Sequence, residues 1–570
     1  MAEETGNLLR RFRRIDAIGI IRKNEIDLEG QTWAFFLRAG SFLANREVFM
    51  KRLMIVFFAL CAFVAALSAA EIPLTAKDFV LGNRTAGSVK YQVSFDDGVL
   101  TVMISPSPKI GNATLGAVLN IPVQKMRGMG VRFRGEVRYE NIASDAGGPY
   151  WGGKILASNF RQGVYNFFVS PVMRGTQTEW QPVSLECSFP EDQQSVHVVF
   201  GIQQGWGKLQ FRNLVYETYP VAPVTSVKVP ENFVQKYTDR VKQDVRRRGV
   251  MSPAWKNLKE QDIHDLALWN VNLLRYQIVD GCPDVKNIEV YEKWFNDALT
   301  HLEKLMPLLK KYGIKVIVDM HYVVGGRYGK DAEAAKADSS HFRAMHEAGY
   351  RDAFIRIWRE TARRFKGNTQ IYAYDLCNEP IQHGAVPCSF WNLQYEAAKA
   401  IRSVDPEVPV MVESNHMASP VFFEMTPMPL DNIIYSIHMY VPGEYTHQGV
   451  NDTSYSKQFY AKHFDYRNAG WNRARLAKSM EAVRKFQQKY GARIQVGEFS
   501  VAIWAPGAAS YLDELVSIFE EYKWDWTYHA FREWDGWSLE HEGTPNHIRK
   551  AVKDTDRKQV MLKYFGLNKK

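Results

Sequence analysis

Between residues 246 and 534 eight short apolar runs alternate with amphipathic stretches, an order that confines the chain to an α/β architecture. The runs are Arg246–Met251, Val271–Gln277, Lys315–His321, Ile371–Glu379, Pro409–Ser414, Ile433–Tyr440, Ile494–Phe499 and Trp526–Trp534. Most are continuously apolar rather than alternating, as expected of parallel strands covered on both faces. Between them, Trp294, Phe295, Ala298, Leu299, Leu302, Leu305, Met306 and Leu309 recur at spacings of three and four and predict a helix with one buried side. Arg351–Phe365 and Trp391–Ser403 repeat that pattern. Eight such units fit a (β/α)8 TIM barrel. A doubly wound sheet is the competing architecture, but the Gly-rich phosphate turn it needs after its first strand is missing.

The preceding 150 residues read differently. Ser88–Phe95 and Val99–Ser105 flank Asp96-Asp97-Gly98, a hairpin signal. Val131–Tyr139, Tyr165–Ser170, Val196–Gly201 and Lys208–Tyr216 continue a series of short strands without helical period. An all-β sandwich is therefore expected over 71–220. Its stretch from Trp180 to Leu214 resembles the C-terminal half of a jelly-roll carbohydrate-binding module. Tyr150, Trp151, Tyr165 and Trp206 are candidates for a platform under a pyranose ring, while Trp180 is read as core. Proline-punctuated Val221–Pro230 is the linker to the barrel unit, 231–570.

Met50-Lys51-Arg52, apolar Leu53–Leu67 and the small residues Ser68-Ala69-Ala70 read as a secretory signal peptide cleaved near Ala70. Residues 1–49 do not fit a signal head and are read as an extension from a start assigned too far upstream. The rival is an uncleaved anchor, because residues 53–70 are barely long enough to span a bilayer. The expected location is outside the cell or in its envelope, with membrane contact only if that segment is retained. Formal charge is +10, and residues 1–70 supply ten Lys/Arg against seven Asp/Glu. No basic run or nucleic-acid motif accompanies the remainder, so nucleic acid is not an expected partner. Outside the leader, Cys187, Cys282, Cys377 and Cys388 are too sparse for a disulfide framework and lack zinc-ligand spacing.

Polar residues stand at the ends of nearly all the barrel runs. Arg275 ends the second, Asp319 and His321 the third, and Asn378 and Glu379 the fourth. Glu413, Asn415 and His416 follow the fifth, His438 and Tyr440 the sixth, Glu498 the seventh and Trp534 the eighth. Packing alone gives no reason to bring these groups to one rim, whereas the C-terminal rim of a TIM barrel is where active sites are built. Two carboxylates facing each other there, Glu379 and Glu498, are what retaining cleavage of a glycosidic bond requires.

These residues, in Asn272-Leu273-Leu274-Arg275, Val318-Asp319-Met320-His321, Asn378-Glu379-Pro380, His438-Met439-Tyr440 and Gly497-Glu498-Phe499, together with Trp534, resemble glycoside hydrolase family 5. They cover residues 245 to 540 in the family's order. The resemblance implies a secreted retaining hydrolase of β-1,4-linked glucan, with polysaccharide or oligosaccharide as partner and no cofactor or metal. Glu379 is then the acid/base and Glu498 the nucleophile, held ionised by Arg275 and Tyr440. Asn378 suits the sugar 2-hydroxyl, and His321 and His438 suit the substrate and the acid glutamate. Trp534 is the expected floor under the sugar, preferred over Trp537, and Trp504 and Trp537 are further cleft candidates. The carboxyl groups are expected about 5–5.5 Å apart.

Glu413 and Glu533 are read as surface ion-pair partners, the ordinary state of a strand-end glutamate. The excursion Tyr322–Gly349 is expected to form one wall of the cleft. Other family substrates, such as β-mannan or xyloglucan, and a glycan-binding barrel without turnover are the alternatives. Endo against exo action and oligomeric state are not legible in this sequence.

Overall fold

A computed structural model describes residues 71–568 apart from the stretches 108–113, 121–125, 146–150, 162–163, 190–194, 221–224, 226, 239–240, 242–244, 330–339, 383–385, 423–424 and 451–453. The segment read as a signal peptide and Tyr150 lie outside the described residues, as does the side chain of Tyr165. Among the described residues no helix is long and apolar enough to cross a membrane.

The N-terminal part is a two-sheet sandwich. Its strands are β1 (Ile72–Pro73), β2 (Gly82–Ala86), β3 (Val89–Asp96), β4 (Val99–Ile104), β5 (Thr114–Val118) and β6 (Met129–Ala143). They continue with β7 (Gly152–Arg161), β8 (Val164–Val169), β9 (Gly175–Phe189), β10 (Ser195–Gln203) and β11 (Trp206–Pro220). One antiparallel sheet runs β2-β3-β4-β11-β6-β9 with β1 also on β11, and the other runs β5-β10-β7-β8. Period-two burial makes the core: Leu100, Val102 and Ile104 of β4 face inward with Val198, Phe200 and Ile202 of β10. At the β3–β4 hairpin Asp97 and Gly98 both have positive φ, 48° and 76°, as a tight two-residue turn requires. Trp180 departs from its reading as core. It is half-buried on β9, with the guanidinium groups of Arg138 and Arg212 at 4.6 and 4.5 Å from its ring centroid. Trp151 carries Arg174 over its ring at 4.4 Å, and Trp206 packs against the sandwich core.

The second part is a closed barrel of eight parallel strands. They are β12 (Arg248–Met251), β13 (Leu273–Gln277), β14 (Lys315–Asp319), β15 (Ile371–Asp375), β16 (Val410–Glu413), β17 (Ile433–His438), β18 (Arg493–Glu498) and β19 (Asp525–Tyr528). Each pairs in parallel with the next, and β19 returns to β12. All eight expected runs contain a strand, but several strands stop short. β15 ends at Asp375, and Glu379 beyond it has φ of 54°, a left-handed conformation outside regular strand geometry. β19 ends at Tyr528, so Trp534 lies in the turns that follow rather than on the strand. The predicted helix runs Ile288–Lys311, capped by Asn287 on the Val290 amide, and it buries the periodic residues named above apart from Met306, which is half-buried.

Inside the barrel the strand period builds layers. Leu273, Ile317, Ala373, Met411 and Ile434 form an apolar interior cluster together with Tyr372. Two residues further along the same strands stand Arg275, Asp319, Asp375, Glu413 and Ser436, all fully buried. On four of these strands the inward face thus passes from apolar to ionic in a single step toward the C-terminal rim, and on β17 it passes to Ser436. The close approach of β12 to β13 depends on Gly249, where an added Cβ would sit 1.9 Å from the Leu273 carbonyl oxygen. Backbone on both sides leaves nothing flexible to yield. Gly249→Ala is expected to destabilise the barrel by about 1–3 kcal/mol, read as a lowered Tm with the sandwich core unaffected.

Candidate active site

Arg275 is the centre of the rim. Its guanidinium donates from Nη1 to Glu498 Oε1 at 2.7 Å, from Nε to Asp375 Oδ2 at 2.9 Å, and from Nη2 to Asn378 Oδ1 at 2.9 Å. Nη2 also meets Glu413 Oε1 at 3.1 Å and Asp319 Oδ1 at 3.2 Å. One cation therefore faces four carboxylates, supplied by β14, β15, β16 and β18. Burial pushes the Asp375 carboxyl well above the ordinary carboxylate range, Glu413 adds to that shift, and Arg275 opposes it.

Glu498, at the end of β18, also accepts the Tyr440 hydroxyl on Oε2 at 3.0 Å. Burial works against its ionisation, but His438, His529, Arg275 and His321 outweigh burial and hold it well below the ordinary range. Glu379, half-buried across the mouth, meets His438 Nδ1 through Oε1 at 2.9 Å. The same nitrogen is 3.6 Å from Glu498 Oε2. Polar atoms of Glu379, His438 and Glu498 all lie within 4.8 Å of one another, a donor set whose spacing could also admit a cation. All three side chains already contact one another through His438. His321 is tied to Asp319 at 2.9 Å and stands 3.3 Å from the Asn378 amide nitrogen, so a chain of side chains runs from β14 to β15.

The cavity above these groups has a volume of about 460 Å³. Its lining includes His321, Asn378, Glu379, His438, Tyr440, Glu498 and Trp537. The tryptophan at this cavity is thus Trp537, not the expected Trp534. Trp537 packs 6.1 Å from the Tyr440 ring, while Trp534 stands edge-on behind it at 5.5 Å and touches Trp504. Trp504 spends its indole N–H on the Gln448 carbonyl at 2.5 Å and does not line the cavity. The physical reason is the early end of β19, which leaves the chain to turn twice before Trp537 reaches the mouth.

Three participants escaped the sequence reading. Glu413 is not a surface ion-pair partner but is fully buried beneath the mouth. Asp375 was passed over altogether. Both could have been found by counting two residues on from the apolar interior positions Ala373 and Met411. His529 follows β19, hydrogen-bonds the Tyr440 hydroxyl through Nδ1 and meets Glu533 through Nε2 at 2.7 Å. It lies two residues beyond Thr527 on the inward face, a position the single-sequence pattern did not mark. In the excursion after β14, Arg327 reaches back to the Glu379 carbonyl at 2.5 Å.

The profile described as cellulase (glycosyl hydrolase family 5) matches residues 238–534, more than half of the chain. The chain belongs to glycosyl hydrolase family 5. This family 5 hydrolase is 26% identical to cellodextrinase A of Ruminococcus flavefaciens over 247 residues, 43% of this chain and 69% of that protein. It is 22% identical to endoglucanase C of Acetivibrio thermocellus over 291 residues, 46% of this chain and 81% of that protein. A solved structure of Thermotoga maritima Cel5A in complex with cellobiose aligns at 17% identity and a TM-score of 0.43, covering 57% of this chain and 100% of that one. The protein is a glycoside hydrolase with a (β/α)8 barrel.

In the family 5 hydrolase Arg275 is, among the described residues, the one cation that reaches all four buried carboxylates, so its loss removes a partner from each of them. Arg275→Met is expected to cost about 3–5 kcal/mol. The orphaned acids then bind protons more tightly folded than unfolded, so the variant loses stability as pH rises. Urea midpoints for this variant are expected to fall between about pH 5 and about pH 8.

Proposed function

We propose that this hydrolase cleaves β-1,4-linked glucan with retention of anomeric configuration, using Glu379 as acid/base and Glu498 as nucleophile. The observation that carries the reading is the spacing across the mouth: carboxylate oxygens of the two residues lie within 4.8 Å of each other. That fits the separation of about 5–5.5 Å of retaining enzymes and not the wider gap of about 6.5–9.5 Å that leaves room for an attacking water. The two environments differ in the required sense. Glu498 is surrounded by cations and ready to attack the anomeric carbon. Glu379 has one oxygen on His438 and the other free toward the cavity, where a leaving oxygen would arrive.

In the first step Glu498 forms a covalent glycosyl ester as Glu379 passes its proton to the departing oxygen. In the second Glu379 takes a proton from water as that water displaces Glu498. Asn378, whose carbonyl is bound by Arg275, presents its amide to the sugar 2-hydroxyl. The cellulase description of the family and the cellodextrinase and endoglucanase relatives favour glucan among the family's substrates. We further propose export through residues 50–70. The sandwich is proposed as a carbohydrate-binding-module-like appendage, on its two-sheet form alone.

Hydrolysis of an aryl β-cellobioside by the wild type, Glu498→Ala and Glu379→Ala tests the assignment. Glu498→Ala is expected to be nearly inactive on any leaving group, while Glu379→Ala keeps measurable turnover where the leaving group needs no proton. Proton NMR of the wild-type reaction is expected to show the β-anomer first, and equal rates in all three proteins would remove the assignment. Because cations hold Glu498 ionised, kcat/KM is expected to persist as pH falls to its ordinary value of 4.5 and to drop only below it. A pH–rate profile on an activated substrate measures this. A parallel screen of soluble glucan, glucomannan and xyloglucan ranks the substrates.

A further inference from the structure

Three backbone and side-chain contacts converge on one buried carboxylate that the proposed mechanism does not use. Glu413 ends β16, and Gln394 of the helix Phe390–Arg402 holds its main chain from both sides. The Glu413 amide donates to Gln394 Oε1 at 2.7 Å, and Gln394 Nε2 donates to the Glu413 carbonyl at 3.0 Å. With its backbone fixed, the side chain can reach only upward into the ionic layer. Oε2 accepts the backbone N–H of Glu379 at 2.6 Å. Oε1 lies 3.2 Å from His438 Nε2 and 3.1 Å from Arg275 Nη2. The His438 contact is close but off-line for a hydrogen bond, so it acts as charge against charge.

Glu379 needs such a hold. Its left-handed backbone, φ 54°, is a conformation that costs about 1–3 kcal/mol for a residue with a Cβ and persists only where neighbours impose it. The imposing groups are Glu413 on its N–H and Arg327 on its carbonyl, at 2.6 and 2.5 Å. Glu413 also faces the ring that meets the Glu379 side chain. With Glu413 on its Nε2 edge and Glu498 close to its Nδ1, His438 is favoured as the imidazolium, which carries a proton on both nitrogens; its Nδ1–H is then directed at Glu379 Oε1, leaving Oε2 to carry the transferable proton. Peptide and side chain of the proton donor are thus referred to the same fixed carboxylate.

We infer that Glu413 is a positioning residue for proton transfer, acting on Glu379 through its peptide N–H and through His438. The inference rests on the assignment of Glu379 as acid/base. Its consequence is selective. Misplacing the proton donor slows departure of groups that must be protonated and spares groups that leave as stable anions. Loss of the Glu413 contact to Arg275 acts instead on the nucleophile side and slows both kinds alike.

The test compares phenyl and 2,4-dinitrophenyl β-cellobiosides with the full chain as wild type, Glu413→Gln, Glu413→Asp and Glu379→Ala. The expected result for Glu413→Gln is a fall in kcat/KM at least about ten-fold larger on the phenyl substrate, within the range that general acid catalysis supplies. Glu413→Asp keeps the charge beside Arg275 but withdraws the oxygen from the Glu379 amide, and the same direction is expected. Both substrates are measured on one preparation, so a partly folded variant lowers both and leaves the ratio unchanged. A wild-type ratio in the two Glu413 variants, alongside a raised ratio in Glu379→Ala, overturns this inference and leaves the acid/base assignment standing. A wild-type ratio in Glu379→Ala overturns the assignment itself, and this inference with it.

Discussion

One guanidinium organises the mouth of this barrel. Arg275 comes off β13 directly above the apolar interior, and four carboxylates from four other strands close on it. Each of those acids would be costly to bury alone. Together with a single fixed cation they form a layer that can exist only where the strands converge, which is why closing the barrel and building the site are the same event. Asn378 is held in this layer as well, through its carbonyl. Asn378 is therefore oriented by the same group that pairs Glu498.

The excess of negative charge has a direction. Arg275 alone cannot neutralise four acids, and three histidines stand on the cavity side of the layer, His321, His438 and His529. Burial works against the imidazolium of His438, but Glu498 and Glu413 outweigh it and lift its pKa well above the ordinary histidine range. His529 is raised in the same sense, with burial overcome by Glu533 and then Glu498. The surplus is therefore met from the cavity side, around Glu498, rather than from the barrel interior. Asp375, deep in the layer, is the acid that burial drives toward the neutral form.

Much of this was legible in the sequence, and the exceptions share a cause. Continuous apolar runs located all eight strands because parallel strands buried on both faces leave no other pattern. The residues toward the ends of those runs, Arg275, His321, Asn378, Glu379, His438, Tyr440 and Glu498, meet around one cavity or directly beneath it. Glu413 was placed at the rim but given the ordinary role of a strand-end glutamate, and Asp375 was missed because it sits inside an apolar run, where a polar residue reads as an interruption of the pattern. Their two-residue offset from Met411 and Ala373 places them on the inward face, but only a closed barrel gives that face a common centre. Trp534 and Trp537 were exchanged for a local reason: nothing in Arg532-Glu533-Trp534-Asp535-Gly536-Trp537 marks where β19 ends, and the strand stops at Tyr528. Trp180 was read as core, yet Arg138 of the adjacent strand β6 and Arg212 of β11 stand over its ring.

The two proposed catalytic carboxylates are mounted differently, and the difference follows from what each must do. Glu498 is the last residue of a strand, paired with His438 of β17 just past a register shift, and both its oxygens are engaged, by Arg275 and by Tyr440. A nucleophile that attacks one carbon from one direction gains from such rigidity. Glu379 stands four residues beyond its strand, on a left-handed turn clamped at the peptide but with one carboxyl oxygen unspent. A group that gives a proton to one oxygen and then takes one from another must serve two positions in turn. Fixing its backbone while leaving the side chain a free oxygen meets that requirement, and a strand residue locked on both oxygens would not.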